Sequence, residues 1–325
     1  MDIRSIRSSA ADALAAAPGS PRRLVLVHTG ASLAVLLVLT LINFILTRQI
    51  DTTVGLSGIG TRTVLQSIQS LLTIALSAAL PFWELGFIRA SLQFSRRETA
   101  DNTTLLEGFR RFWPVLRLML LRSFLYIIAI MACLQVASMV FALTPMSGPL
   151  LEAMEQLMTA ADPTTVDPAL LEGLAPTLYP FYIILILCLA VVLTPIFYRL
   201  RLTDHAIMDV PCGALAAMVM SNRAMKGNCF RFFRLDLSLW WYYLLLFLAA
   251  GVSYGNVILA ALDVPINQDA AFFIFYIASL VAQLAVAYAF APRVHTVYAA
   301  AYDHLRTAVP APGKPKPIPK NLPWD

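Results

Sequence analysis

Six apolar stretches, each long enough to cross a bilayer, dominate this sequence: residues 24–47, 64–90, 120–142, 177–198, 239–261 and 270–292. A hydrocarbon core about 30 Å thick takes about 20 apolar residues at the helical rise. Hydrocarbon offers nothing to backbone N–H and C=O groups, so such stretches must close their hydrogen bonds internally, as helices do. Apolar residues make up 59% of the chain and mean hydropathy is +0.72, well above the balance of a soluble domain. The pattern predicts an all-α polytopic bundle of six transmembrane helices, with amphipathic interfacial helices between them.

Charge placement sets the expected orientation. All but two of the 24 Lys and Arg residues fall in the N-terminal arm, in 89–122, in 199–234 and at the C-terminal end. The exceptions, Arg48 and Arg62, lie in the first connection between spans. The connection 143–176 carries Glu152, Glu155, Asp162, Asp167 and Glu172 and no base, and 263–269 carries only Asp263 and Asp269. Basic connections stay on the cytoplasmic side. Both termini are therefore expected inside a cytoplasmic (inner) membrane, and the net charge of +5 reads as this bias together with attraction to anionic lipid. It is not a nucleic-acid signal. Residues 1–20 show no cleavable leader, so the first span is expected to stay as a signal anchor. Cys133, Cys188, Cys212 and Cys229 fall in spans or on the inner side, where disulfides are not expected.

The chain reads as one membrane domain over 1–307 in three hairpin units, about 1–100, 101–210 and 211–307, followed by a Pro/Lys-rich cytoplasmic tail, 308–325. Each unit opens on an amphipathic foot with a basic cluster and returns through a span with an inner proline: Pro81, Pro195 and Pro292. A threefold repeat gives this pattern, and so do three ordinary positive-inside hairpins. In the second foot, Leu105, Leu106, Phe109 and Phe112 are expected on one helix face, with Arg110 and Arg111 toward water or phosphate. In the third, Phe230, Phe232 and Phe233 alternate with Arg231 and Arg234. Rings in the interface and guanidinium groups at the headgroups would anchor such segments. Leu150, Leu151, Met154, Leu157 and Met158 recur at helical spacing in the outer connection, which predicts an amphipathic helix there. The tail, with six prolines and three lysines after Thr307, is expected to be extended or disordered.

Glu84 is the one acidic residue clearly inside a span. An intramembrane carboxylate is costly and calls for a partner. Arg89, Arg122, Arg199 and Arg293 reach similar depth, and Arg199 is the first choice because its span carries the matching Pro195. The pair Glu84–Arg199 is read either as a structural ion pair or as part of a proton or cationic-substrate site. His205, Asp209 and Cys212 lie close together, but Pro211 ends that turn and no second ligand pair follows. The sequence holds no Walker loop, nucleophile elbow, His-Glu-x-x-His or Rossmann glycines. No catalytic, cofactor-binding or metal residue is assigned.

The segments Asp209-x-Pro211, Ser221 through Met225-Lys226-Gly227-Asn228, and Phe233-x-Leu235-Asp236-Leu237-Ser238 resemble a bacterial integral-membrane family known as domain of unknown function 975. Leu106-x-Gly108-Phe109 and the closing Tyr298-x-x-x-Tyr302 are similar to it too. The resemblance covers most of 1–307. It implies a six-span fold and no established activity. Physically, Gly227 suits a turn that needs positive φ, Asp236 would enter the first turn of the next helix, and Ser238 would cap it. Alternatively, Lys226, Arg231 and Arg234 cradle a lipid phosphate beside Asp236. The expected function is a non-enzymatic scaffold or accessory subunit of a membrane complex, with anionic lipids and other membrane proteins as partners. The alternative is a transporter or lipid-handling protein with a polar site near Glu84.

Overall fold

The computed structural model describes residues 2–52, 58–144, 147–148, 168–262 and 267–307. In chain order the helices are α1 (Ile3–Ala16), α2 (Pro21–Thr52), α3 (Gly58–Ser95), a 3-10 turn (Asn102–Leu106), α4 (Glu107–Arg110), α5 (Phe112–Ala142), α6 (Pro168–Leu200), α7 (Thr203–Asp209), α8 (Ala214–Met225), α9 (Cys229–Ser238), α10 (Trp240–Gly251), a second 3-10 turn (Val252–Tyr254), α11 (Gly255–Ala261) and α12 (Gln268–Thr307). No strand occurs among the described residues. Six segments are long and apolar enough to cross a membrane: Pro21–Gln49, Thr63–Ser95, Phe112–Ala142, Tyr179–Asp209, Trp240–Ala261 and Asp269–Arg306. The expected all-α, six-span architecture is therefore present. Phe124, Ile127 and Met131 on α5 and Ile183, Ile186 and Val191 on α6 stand exposed. Apolar faces of that extent belong against hydrocarbon, and the chain is a multi-pass membrane protein. The amphipathic helix expected in the outer connection and the Pro/Lys tail fall outside the described residues.

The chain forms two compact units, one of residues 1–115 and 202–325, the other of 116–201. The division follows the hairpins only in part. Spans three and four make the second unit, and the first and last hairpins join in the first.

In the first unit, α12 packs on α1, α2, α3, α10 and α11, while α3 also packs on α2, α7 and the 3-10 turn with α4. The close packing of that foot on α3 has a specific cause. A Cβ on Gly86 would sit 1.9 Å from the Leu105 carbonyl oxygen, and one on Gly108 would sit 1.9 Å from that of Phe82. Only glycine permits this backbone approach. Phe82 then stacks on Phe109 and Phe112, with centroids 5.6 and 5.1 Å away, just past the proline Pro81 inside α3.

The foot differs from the single amphipathic helix expected. Leu105 is fully buried while Leu106 is exposed, so the two do not share a face. The chain leaves helical geometry at Arg111, at φ −96° and ψ 36°, and starts α5 afresh. Pro114 explains the break. It has no N–H to give to Arg110, but it is tolerated in the first turn of a new helix.

Three further contacts engage backbone carbonyls, two of them where a helix is interrupted or ends. Span five breaks into α10, the 3-10 turn and α11, and the Ala250 carbonyl freed there accepts from Ser253 Oγ at 2.7 Å and from Ser279 Oγ of α12 at 3.4 Å. Irregular backbone at membrane depth needs such partners. Thr296 Oγ1 donates to the Pro292 carbonyl at 2.6 Å in the middle of α12. At the end of α3, Arg97 takes φ +60° while Glu98 N donates to Gln93 O at 2.9 Å, a closure usually given to glycine. Toward the other end of the unit, Thr40 Oγ1 donates to Tyr276 Oη at 2.7 Å, and Arg48 pairs with Asp269.

In the second unit, α5 meets α6 through Phe141 and Phe181, with centroids 5.6 Å apart. There Cys133 Sγ lies 3.6 Å from the Cys188 carbonyl, and Arg201 covers the Phe197 ring at 5.1 Å. All four cysteines are free thiols.

The glycine contact gives a direct test. Gly86→Ala or Gly108→Ala forces two backbones apart and is expected to cost about 1–3 kcal/mol, read as thermal unfolding in detergent. Gly30→Ala, where a Cβ meets nothing within 4 Å, is expected to be neutral or stabilising by up to about 1 kcal/mol.

Candidate functional site

The polar chemistry of the first unit gathers at the end that carries the arginines, in two clusters. The larger one ties three helices. Arg96, just past α3, clasps Asp303 of α12 through Nη2 at 2.5 Å and Nε at 3.2 Å, and reaches Asp209 at the end of α7 through Nη1 at 2.6 Å. Ser95 Oγ adds a bond to Asp303 Oδ2 at 2.9 Å. On its other oxygen, Asp209 takes Tyr302 Oη at 3.1 Å and the Arg306 guanidinium. Arg89 stands 3.8 Å away. The Asp209 side chain is only 3% accessible and that of Arg96 25%. A buried carboxylate of this kind needs its charge met and its lone pairs filled; Arg96, Arg306 and Tyr302 do both for Asp209, while Asp303 takes the bidentate pairing from Arg96. The bonds to Asp303, then those to Asp209, outweigh the cost of burial and push the Arg96 guanidinium above the ordinary arginine range.

A second chain of bonds uses the neighbouring tyrosine of α12. Tyr243 Oη donates to Tyr298 Oη at 3.1 Å, and Tyr298 Oη donates to Asp236 Oδ1 of α9 at 2.7 Å. Tyr298 and Tyr302, one turn apart, thus each hold one aspartate on another element. Ser221 Oγ accepts from Leu202 N at 3.1 Å in the core, which fixes the start of α7 against α8. Asp209, Ser221, Asp236, Tyr298 and Tyr302 are singled out by the sequence motifs, and each makes one of these contacts. Gly227 has φ +79°, as its turn requires. Asp236 and Ser238 differ from expectation. They close α9 rather than open α10, and Ser238 Oγ donates back to Leu235 O at 2.7 Å. Burial of Phe232 and Leu235 carries the helix past Asp236, so Tyr298 can reach it.

The second cluster surrounds Glu84. Its Oε2 lies 3.2 Å from His28 Nε2 of α2, a partner the sequence reading did not name. The His28 side chain is 7% accessible, that of Glu84 51%. The His28 ring sits between Trp83 and Phe87, with centroids 5.7 and 4.5 Å away, and Phe87 meets His295 at 4.8 Å. Trp83 Nε1 and Ser32 Oγ both donate to the His28 carbonyl at 3.0 Å, which locks the backbone that carries the imidazole. Arg199 lies in the last turn of α6, in the second unit.

The other basic residues divide between inward and outward roles. Arg111 turns inward and donates to the Ile207 carbonyl at 2.6 Å, holding the end of α7 against the foot. Arg110 pairs with Glu107 at 2.7 Å on the surface. Lys226, Arg231 and Arg234 are exposed. His205 stacks on Tyr302 at 5.7 Å, Asp209 is spent on arginines, and burial pushes the Cys212 thiol above its ordinary range. Those three side chains serve separate contacts.

Sequence reasoning missed Arg96, Asp303 and His28 as partners. Arg96 and Asp303 are 207 positions apart, so no spacing links them. His28 had a signal: a polar ring inside the first apolar run, at the depth of the lone carboxylate. Arg96→Ala leaves two carboxylates without their shared cation and is expected to destabilise the first unit by about 3 kcal/mol. Arg306→Ala, at a largely solvated guanidinium, is expected to cost about 1 kcal/mol or less. Detergent unfolding midpoints check both.

The family model described as "Protein of unknown function (DUF975)" matches residues 23–289. No curated protein and no solved structure matches the chain. The matched stretch contains Gly108, Asp209, Ser221, Gly227 and Asp236, whose contacts order the basic end of the first unit, and with most of its length inside that match the chain belongs to the DUF975 family.

Proposed function

We propose that this chain is a non-enzymatic protein of the bacterial cytoplasmic membrane, with both termini inside, that works as a scaffold or accessory subunit of a membrane complex and rests on anionic lipid through α9. One observation carries the reading. Arg223, Lys226, Arg231 and Arg234 stand exposed, with no acidic partner among the described residues, beside exposed Phe230 and Phe233. Meanwhile Asp209, Asp236 and Asp303 are bonded to arginine or tyrosine. The unit spends these three acids on its own helices and leaves a row of cations facing outward. Aromatic rings at the acyl boundary and guanidinium groups at phosphate depth make a lipid-bearing surface. A rigid unit held at the membrane face in this way is suited to present itself to another membrane protein.

A second reading, a transporter or lipid-handling protein, is favoured by one specific feature. Glu84 keeps half of its side chain accessible, although its helix neighbours Phe82, Leu85 and Phe87 are buried.

The lipid surface is tested by native mass spectrometry of the purified chain with phosphatidylglycerol or phosphatidylcholine. Each base near an anionic surface is worth about 1 kcal/mol, so Arg231→Glu with Arg234→Glu is expected to weaken phosphatidylglycerol retention by at least about tenfold. Equal retention would remove the lipid role. Orientation is tested by cysteine labelling. Glu155→Cys and Thr165→Cys are expected to react from outside, and Ala100→Cys and Ile318→Cys only after permeabilisation.

A further inference from the structure

We propose that Glu84 and His28 form a proton-exchange site, one that binds a single proton between the two side chains and trades it with water through the open face of Glu84. The inference rests on the second reading above and names its ligand. The geometry restricts what the pair can do. Glu84 Oε2 faces His28 Nε2 at 3.2 Å, while the Glu84 side chain as a whole is half accessible. His28 Nδ1 is buried with no hydrogen-bond partner among the described residues, and the ring packs on Trp83 and Phe87. The imidazole therefore has one functional nitrogen, and that nitrogen looks at one oxygen.

Two arrangements fit this contact. In one, Nε2–H donates to the carboxylate and Nδ1 is a bare lone pair. In the other, one more proton has entered, the carboxyl donates to Nε2, and the N–H of the imidazole sits on Nδ1. The difference is one proton, and the tautomer follows from the partner. A carboxylate tied to arginine, as Asp209 is, resists such exchange because its counter-charge does not leave. Glu84 has a neutral-capable base instead, and an open side.

The groups around the site come from every element that packs on it. From α3 itself comes Arg89, one turn and a residue further on. From α2 comes His28. From α12 comes His295, in electrostatic range of His28. From α7 comes Asp204, and from α10 Tyr242, both in range of Glu84. The foot meets α3 through Leu105 and Gly108, and α1 turns inward with Ile6, Ala10 and Ala13, none of which titrates. The site thus has a carboxylate, a phenol and a second imidazole in electrostatic range, while Arg89 stands 3.8 Å from Asp209.

The test uses the full chain in lipid nanodiscs and dicyclohexylcarbodiimide, an apolar reagent that attacks protonated carboxyl groups. The carboxyl proton passes to a carbodiimide nitrogen as the oxygen bonds the central carbon, and peptide mass spectrometry locates the adduct. We expect an adduct at Glu84 whose yield falls at least tenfold between about pH 5.5 and 8.5, in a profile distinct from that of Glu107, which is paired with Arg110. Glu84→Gln removes that adduct alone. His28→Gln moves the profile along the pH axis in protein that still unfolds cooperatively. If His28→Gln does not fold, the infrared carbonyl band of a protonated carboxyl, present in wild type at low pH and lost at high pH, reads the same titration. No adduct at Glu84 at any pH, or a profile that follows Glu107, overturns the site. Failure of the transport reading is separate: titration at Glu84 in vesicles that hold an imposed pH gradient keeps the site and removes transport.

Discussion

Arg96 holds two carboxylates that arrive from different helices, and the register of the first unit depends on that clasp. Asp303 lies near the end of α12 and Asp209 at the end of α7. Neither can slide by a turn without leaving a buried charge unmet, at a cost of several kcal/mol. Hydrophobic contact cannot set that register in a membrane, because lipid tails are as apolar as the side chains they would replace. Directional bonds must do it. The two tyrosines of α12 extend the same logic, with Tyr302 on Asp209 and Tyr298 on Asp236. One helix face therefore fixes α7 and α9 together, while Arg96 fixes α3 to both α12 and α7.

Close backbone approach does the rest where bonds are few. Gly86 and Gly108 bring the foot against α3, and Phe82, Phe109 and Phe112 fill the space beside them. With the foot so placed, Arg111 reaches the Ile207 carbonyl. The basic end is then a layer of short helices laid over the span ends, and its outward side carries the cations of α9. Glu84 sits near that layer, bonded to a buried imidazole while half of its side chain stays accessible.

Much of this architecture was legible. Apolar length and charge asymmetry are properties of contiguous residues, so six spans and their basic ends read directly. Gly227 read correctly because positive φ is a local demand that glycine meets. The same motif misled at Asp236 and Ser238, because a carboxylate and a hydroxyl in sequence look like a helix start, while the tertiary bond from Tyr298 and burial of Leu235 keep them in the preceding helix. The second foot misled because periodicity puts Leu105 and Leu106 together, whereas Pro114 breaks the helix and the glycine contact turns Leu105 inward. Glu84 was found by its cost in hydrocarbon, but its partner in the first unit was not, because a carboxylate calls first for a permanent cation and His28 is a neutral-capable ring inside an apolar run. Arg96 and Asp303 gave no signal at all, since each looks like one more charge at a basic end.

The central claim is that Arg96 and Asp303 are energetically coupled and do more than lie close. A double-mutant cycle with Arg96→Met and Asp303→Leu, measured by reversible unfolding of the full chain in detergent, isolates their interaction. The account predicts a coupling of about 1–3 kcal/mol that persists at high salt, as for residues in one buried network. Additive single effects within about 0.3 kcal/mol, or a coupling that salt abolishes, would contradict it.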